Sequence, residues 1–542
     1  MNTVEKLALL RSKMQENNIG AFVVYSADPH LSEYLPKEWL ERAWLSGFTG
    51  SAGFVVITGD KAGLWTDSRY FVQSAIELKG SGIDLFKDGV EGTPDYADWL
   101  VSVLPQGATV AVNALATSHV AWEKLQATLN ANGLKLVHKP LLDTIWTNRE
   151  KDPLHHIFVH PDKWAGQTLA DKLKAIREAM AAKRTQLHLI TALDDVAWTL
   201  NLRGSDVAYN PVFLGYIALT DKEATLFVDK AKLTPEVEAH LAKAQVAIRD
   251  YDAFYDYLST VKGQNILLAA NTNQAIFEAL QKDNRIVQAP APGNLMKAVK
   301  NETELAGFRT VMERDGVAMV NFLYWLTHQV GKEPMTEYSI GKKLREFRAA
   351  GANFVGESFG SIIGYQGNGA IVHYSAPEHG SKEVHAEGSI LVDSGGQYLE
   401  GTTDITRTIP LGKVSQQFID DSTLVLKGMI QLAMVQFPKG TRGVQLDAYA
   451  RMALWKNHKD YGHGTGHGVG SFMNVHEGPQ NIRKDLNPQV LLKGMVCSDE
   501  PGFYLENQYG IRHENLVAVR EVTTNEFGTF YDFETLTLCP FM

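Results

Sequence analysis

Short apolar runs alternate with helical stripes along the first 140 residues. Val4, Leu7, Leu10 and Met14 recur at helical spacing and predict an opening amphipathic helix. Ala21–Tyr25, Phe54–Ile57 and Gly63–Asp67 read as buried strands bounded by turn residues such as Ser26-Ala-Asp-Pro29. The same order returns near Asp162. A helix over Thr168–Ala182 carries Leu169, Leu173, Ile176 and Met180 on one face, and the strand His188–Thr191 follows. Ala197-Trp198 then parallels Ala43-Trp44, ahead of strands over Phe213–Leu219 and Ala224–Asp229. The repeated order predicts an internal duplication, with two unrelated α/β domains as the alternative.

A third region follows the Pro/Gly cluster Gln288–Gly293. Asn301, with Glu304 three residues on, predicts the capped start of a long helix. Leu305, Phe308, Met312, Gly316, Met319, Leu323 and Leu326 form its apolar stripe. Pro334 and Thr336 open another helix through Leu344 and Phe347, and strand and glycine patterns dominate after Phe354. The expected fold class is therefore α/β and α+β, with domains at 1–155, 156–300 and 301–542.

Composition narrows the partners. Of the 542 residues 44% are hydrophobic and 21% charged, and the formal net charge is -10. That balance favours solubility and argues against nucleic acid or an anionic membrane as partner. No apolar run approaches the roughly 18 residues that span a bilayer. Two isolated cysteines, Cys497 and Cys539, fit a reducing compartment. Glu5 precedes only a four-residue apolar run, which is no signal peptide. The expected localisation is cytoplasmic.

The candidate chemistry lies between residues 391 and 515. Asp393 and Asp404 flank a glycine-containing stretch, and a hairpin turning at Tyr398-Leu399 sets them opposite each other. A second hairpin centred on Asn507 sets Glu500 opposite Glu514. Between them lies Gly462-His-Gly-Thr-Gly-His467, too rich in glycine for a helix. Four carboxylates with His467 suit Mn²⁺, Zn²⁺, Co²⁺ or Fe²⁺. The other histidines nearby are His373, His463 and His476. Exposed hairpin acids are the bland reading of either pair alone, and the coincidence of both pairs with His467 favours metal. No dinucleotide or P-loop motif occurs. Gly356-Glu-Ser-Phe-Gly360 matches a nucleophile-elbow pattern but lacks its strand-turn-helix setting.

These motifs resemble the pita-bread metallopeptidases. Within them I-V-H-Y-S-A-P (371–377), D-S-G-G-Q-Y-L-E-G-T-T-D-I-T-R-T (393–408), G-H-G-T-G-H-G-V-G-S-F-M-N-V-H-E-G-P (462–479), D-E-P-G-F-Y (499–504) and G-I-R-H-E-N (510–515) are similar to three-domain cytosolic aminopeptidase P. G-F-T-G-S-A-G (47–53), T-D-S-R-Y-F (66–71) and L-N-L-R-G-S-D-V-A-Y-N-P-V-F (200–213) extend the resemblance to the N-terminal part. It implies two creatinase-like α/β domains ahead of a pita-bread catalytic domain, the first two restricting entry to short peptides. It also implies two divalent ions per subunit, manganese before zinc or cobalt. Asp393 and Asp404 would bind one ion, Asp404 and Glu514 would bridge to the second, and His467 and Glu500 would complete it. Glu500 would be the general base, with a metal-bridging hydroxide as nucleophile. His373, His463, His476 and Arg512 would serve the substrate, a peptide with proline in second place. A homodimer is implied.

Two departures from the family pattern stand out. The chain ends at Thr537–Met542, where three-domain relatives continue with a helical tail. His513 occupies a commonly aliphatic position and is expected to face outward. The rival readings are an X-Pro dipeptidase (prolidase), a non-catalytic peptide- or protein-binding relative and a metal-independent creatinase-like hydrolase.

Overall fold

A computed structural model describes residues 1–542, which divide into two compact units. One comprises Met1–Val159, Leu169–Ala208 and Val212–Pro292. The other comprises His160–Thr168, Tyr209–Pro211 and Gly293–Met542.

The first unit holds two six-stranded sheets of one design. In chain order, the strands of the first are Ala21–Tyr25, Phe54–Thr58, Ala62–Thr66, Asp84–Lys87, Thr109–Val112 and Lys135–His138. They pair in the spatial order fourth, third, second, first, fifth, sixth. The second sheet repeats this order with Leu187–Ile190, Gly215–Thr220, Ala224–Val228, Val246–Arg249, Asn265–Leu268 and Arg285–Gln288. Its antiparallel and parallel pairings fall in the same places. The duplication legible in the apolar pattern is thus a duplication of topology. Ala43-Trp44 and Ala197-Trp198 both lie in short helices, Glu41–Ser46 and Leu193–Leu200.

Equivalent places in the two lobes bind each other. Ser118 and Asn273 cap the helices His119–Ala131 and Gln274–Leu280. Around them His119 N donates to Thr272 O at 2.9 Å, and Gln274 N donates to Thr117 O at 2.8 Å. This reciprocal main-chain pairing makes the two lobes one body.

The second unit is built from two helix pairs and two hairpins. Asn301 caps the 28-residue helix Glu302–Gln329 in a capping box with Glu304, and every residue of the expected apolar stripe is buried. It packs with Glu337–Ala349, capped by Thr336. The three-stranded sheet Ile362–Tyr365, Ser389–Ser394 and Ile405–Pro410 lies beside this pair. The second helix pair, Gln416–Ala433 and Gly443–Trp455, belongs with the strands Val496–Asp499, Asn515–Asn525 and Gly528–Thr535. No helix is long and apolar enough to cross a membrane.

Candidate metal centre

The first hairpin brings in Asp393 and Asp404, in a register that differs from the expected one. Asp393 pairs with Thr406, and the turn falls at Leu399-Glu400, because Gln397 pairs with Thr402 and Tyr398 with Gly401. Glu400 is no solvent-facing turn residue. It is buried, with its carboxylate held by Arg314 at 3.1 Å and Asn353 at 2.6 Å. Asp404 sits two residues from the partner of Asp393, so both acids keep one face of the sheet. The opposed pair becomes a diagonal pair.

The second hairpin has the expected register. Asp499 pairs with Asn515 before the gap, and Gly502 pairs with Arg512 after it. Glu500 and Glu514 occupy the gap, facing each other at the same register. Thr406 joins the two hairpins: its Oγ1 donates to Glu514 Oε2 at 2.7 Å, and its O accepts from Glu514 N at 3.1 Å.

His467 arrives on an extended two-residue strand, Gly466–His467. A side chain at 466 would collide with Ser498 O, 2.0 Å from an added Cβ, so glycine lets this loop lie against the strand that leads to Glu500. His467 N is held by Ser498 Oγ at 2.9 Å, and Ser498 Oγ donates to Glu500 Oε1 at 3.2 Å. His467 Nδ1 donates to Gly468 O at 2.9 Å. That bond leaves Nε2 directed at Asp404 Oδ2 and Glu500 Oε1, each at 3.5 Å.

The cluster is charged, with Asp393, Asp404 and Glu514 buried and His467 and Glu500 half-buried. Burial, with the charges of Asp404, Glu500 and Asp393, pushes the Glu514 carboxyl well above its usual range. Burial also pushes Glu500 up to about 7, against the pull of His467 and Arg512. Asp393 is raised by burial and by Asp404, with Arg512 opposing. Burial disfavours a charged His467, but Asp404 and Glu500 outweigh it and the ring stands at about 9. Carboxylates this close cannot all ionise without a cation. The donor set fits a hard divalent ion. Asp404, His467 and Glu514 each offer a ligand atom within 4.8 Å of the others, and Asp393 Oδ1 is buried without a hydrogen-bond partner.

The remaining candidates ring this cluster. The His476 ring meets His467 edge to face, 4.4 Å between centroids. His463 Nδ1 donates to Gly464 O at 2.7 Å, and its Nε2 lies 2.8 Å from Tyr504 Oη. Arg512 is 1% exposed, donating to Asp393 Oδ2 at 2.6 Å, Tyr504 Oη at 2.7 Å and Val372 O at 3.3 Å. The last bond ties it to the loop carrying the half-buried His373. His513 does not face outward. It is buried, with Nε2 3.0 Å from Ser422 Oγ, because helix Gln416–Ala433 packs against the hairpin from which it projects.

Sequence reasoning passed over Tyr504, Thr406 and Ser498, which connect the candidates to one another. It also missed Arg451, which binds Asp447 at 2.6 Å and the carbonyls of Tyr461 and His463 at 2.7 and 2.8 Å beneath the histidine loop. Only the alternation of polar residues within the strands hinted at the first three, and nothing local pointed to Arg451.

Two hairpins that converge on four carboxylates and an imidazole, backed by two helix pairs, define a metallohydrolase of pita-bread form. The family models agree: residues 6–144 and 148–304 each match a creatinase/prolidase N-terminal domain, and 306–521 match metallopeptidase family M24. Xaa-Pro aminopeptidase 1 of Dictyostelium discoideum is 39% identical over 566 residues, covering 100% of this chain and 90% of that protein. A probable Xaa-Pro aminopeptidase P of Neosartorya fischeri is 40% identical, covering 100% and 85%. Among solved structures, the Caenorhabditis elegans X-prolyl aminopeptidase, described as a cytosolic enzyme with a di-nuclear active site, superposes with TM-score 0.95 at 35% identity. It covers 100% of this chain and 91% of that one. Pyrococcus horikoshii prolidase, at 22% identity and TM-score 0.54, covers 68% of this chain and shares the fold. The chain belongs to the Xaa-Pro aminopeptidases of metallopeptidase family M24.

Proposed function

We propose that this chain is a metallo-aminopeptidase that removes the N-terminal residue from peptides with proline in second place. The observation that carries the reading is the meeting of Asp404, His467 and Glu514 within 4.8 Å, in a chain alike over its whole length to Xaa-Pro aminopeptidases. In our reading Asp393, Asp404, His467, Glu500 and Glu514 hold two divalent ions, manganese first and zinc or cobalt as alternatives. Such ions, when bound, polarise the scissile carbonyl and activate a water.

The protein's own groups do the rest. Glu500 is the general base: it takes the proton from the attacking water and hands it to the proline nitrogen as the C–N bond breaks. The leaving nitrogen of any amide must gain a proton to depart as an amine, and Glu500 supplies it to the proline nitrogen. His463 and His476 steady the developing oxyanion and orient the peptide, and His373 holds the substrate from the opposite loop. Arg512 fixes Asp393 and Tyr504 and, through Val372, the approach of His373. We take 1–155, 156–300 and 301–542 as the three domains of a cytoplasmic homodimer.

Hydrolysis of an Xaa-Pro-Yaa peptide, after chelation and again with Mn²⁺ restored, tests this reading. Release of Xaa that requires the metal is expected. Cleavage of Xaa-Pro dipeptides alone would make the protein a prolidase, and no cleavage of either substrate in metal-loaded protein would refute the reading.

A further inference from the structure

Three charged side chains lie buried beneath the loop that carries His467 and His476, and nothing in the chemistry above uses them. Glu477 is 2% exposed, Lys300 4% and Lys297 1%. Lys300 Nζ hydrogen-bonds to Glu477 Oε1 and donates to Lys297 O at 2.8 Å, while Lys297 Nζ lies 3.6 Å from Glu477 Oε2. Buried charges are expensive to keep, and apolar residues of similar volume would fill this space at little or no cost in stability.

The loop shows what the cluster does. Glu477 directly follows His476, and Gly468 directly follows His467. Glu477 N donates to Gly468 O at 2.8 Å, which closes the loop just behind both rings. That same carbonyl accepts His467 Nδ1–H at 2.9 Å. The position of Glu477 thus sets the peptide plane that fixes the tautomer of His467, and its backbone carries His476 against that ring. The Glu477 carboxylate lies under the loop, with Oε2 2.8 Å from where a side chain at Gly470 would begin. Its lysine partners sit on a rigid support. Lys300 N donates to Gly494 O at 3.0 Å, and Val299 bridges to Met495 at the head of the strand that ends in Asp499.

We infer that Glu477, anchored by Lys300 and Lys297, is a positioning residue that holds His467 in its ligating tautomer and His476 beside it. Outer hydrogen bonds to a ligating histidine typically govern metal affinity by 10–100-fold. The inference rests on the reading of His467 as a metal ligand.

The test compares wild type with Lys300→Arg, Glu477→Gln and the apolar triple variant K297M/K300M/E477L, with His467→Ala as control. Three quantities are measured: thermal midpoint without metal, Mn²⁺ affinity by titration calorimetry, and kcat and KM on an Xaa-Pro-Yaa peptide. In the triple variant the midpoint is expected near that of wild type, with Mn²⁺ bound about 10–100-fold more weakly. Its kcat should fall at least about tenfold while KM changes little. Lys300→Arg and Glu477→Gln should shift affinity and kcat in the same direction, and any variant that folds decides. A folded variant with wild-type Mn²⁺ affinity and kcat overturns the inference and leaves the cluster a packing element. If wild type itself neither binds Mn²⁺ nor cleaves the peptide, the reading of the site fails instead.

Discussion

Arg512 and Asp393 are bonded to each other inside the protein, Nη2 to Oδ2 at 2.6 Å, while the other Asp393 oxygen has no hydrogen-bond partner. The guanidinium fills one side of the carboxylate and leaves one oxygen for a cation. The same Nη2 also reaches Val372 O, and Nη1 reaches Tyr504 Oη, so a single planar fork spaces three parts of the site. Lysine has the charge but not the fork. Arg512→Met should cost about 3–5 kcal/mol of stability, the usual penalty for stranding a buried charge. Arg512→Lys should keep more of the fold yet lower kcat by about 100-fold, because Tyr504 and Asp393 are no longer spaced together. Urea melts and steady-state kinetics check both, and wild-type kcat in Arg512→Lys would show that the spacing is immaterial.

Glu500→Gln separates catalysis from folding. The side chain keeps its size, and one charge leaves a cluster in which Glu514 and Asp393 are already raised by mutual repulsion. The metal-free variant should melt at or above the wild-type temperature, while kcat falls by about 10²–10⁴-fold. A variant that turns over near the wild-type rate would remove Glu500 from the role of base.

The two hairpins show how far local pattern reaches. The second was readable because Asn507, at φ +62°, is a polar residue of a kind that tolerates the left-handed turn at the centre of its hairpin. The first was misplaced by one residue at its turn. There the polar residue, Glu400, is buried by Arg314 and Asn353, 86 and 47 residues distant in the chain. His513 was misjudged for the same reason: whether a residue projecting from a hairpin meets water depends on a helix 80 to 97 residues earlier. Periodicity assigns a side chain to a face, and only packing decides what lies beyond it. The Lys300–Glu477 pair, 177 residues apart, had no local signal at all.

Metal and protons compete for the cluster. Raised carboxylates such as Glu500 bind protons more tightly folded than unfolded. Between the ordinary carboxylate pKa of about 4 and the Glu500 value of about 7, the metal-free fold therefore loses stability as pH rises. His467, raised to about 9, extends the loss from about 6.5 to 9. Metal displaces these protons, so its stabilisation must grow with pH. The rise in melting temperature on adding saturating Mn²⁺ to chelated protein should be larger at pH 8 than at pH 6. Equal increments would mean that the ion binds without displacing protons from these groups.

His513 carries the opposite sign. Burial, with Arg407 nearby, lowers its pKa to about 3, so the folded state holds it neutral while the unfolded chain protonates near 6.5. Stability from this group is complete above about 6.5 and is lost as pH falls toward 3, about 2 kcal/mol of it by pH 5. One ring nitrogen, Nδ1, is buried without a partner, and the other reaches Ser422. His513→Leu removes both the titration and the unpaired nitrogen and forfeits only the Ser422 bond, worth about 1 kcal/mol. The variant should therefore melt within a few degrees of wild type at pH 7.5 and several degrees above it at pH 5. Melting curves across that range decide the matter: parallel loss of stability in both proteins would mean that His513 takes no part in the acid lability of the fold.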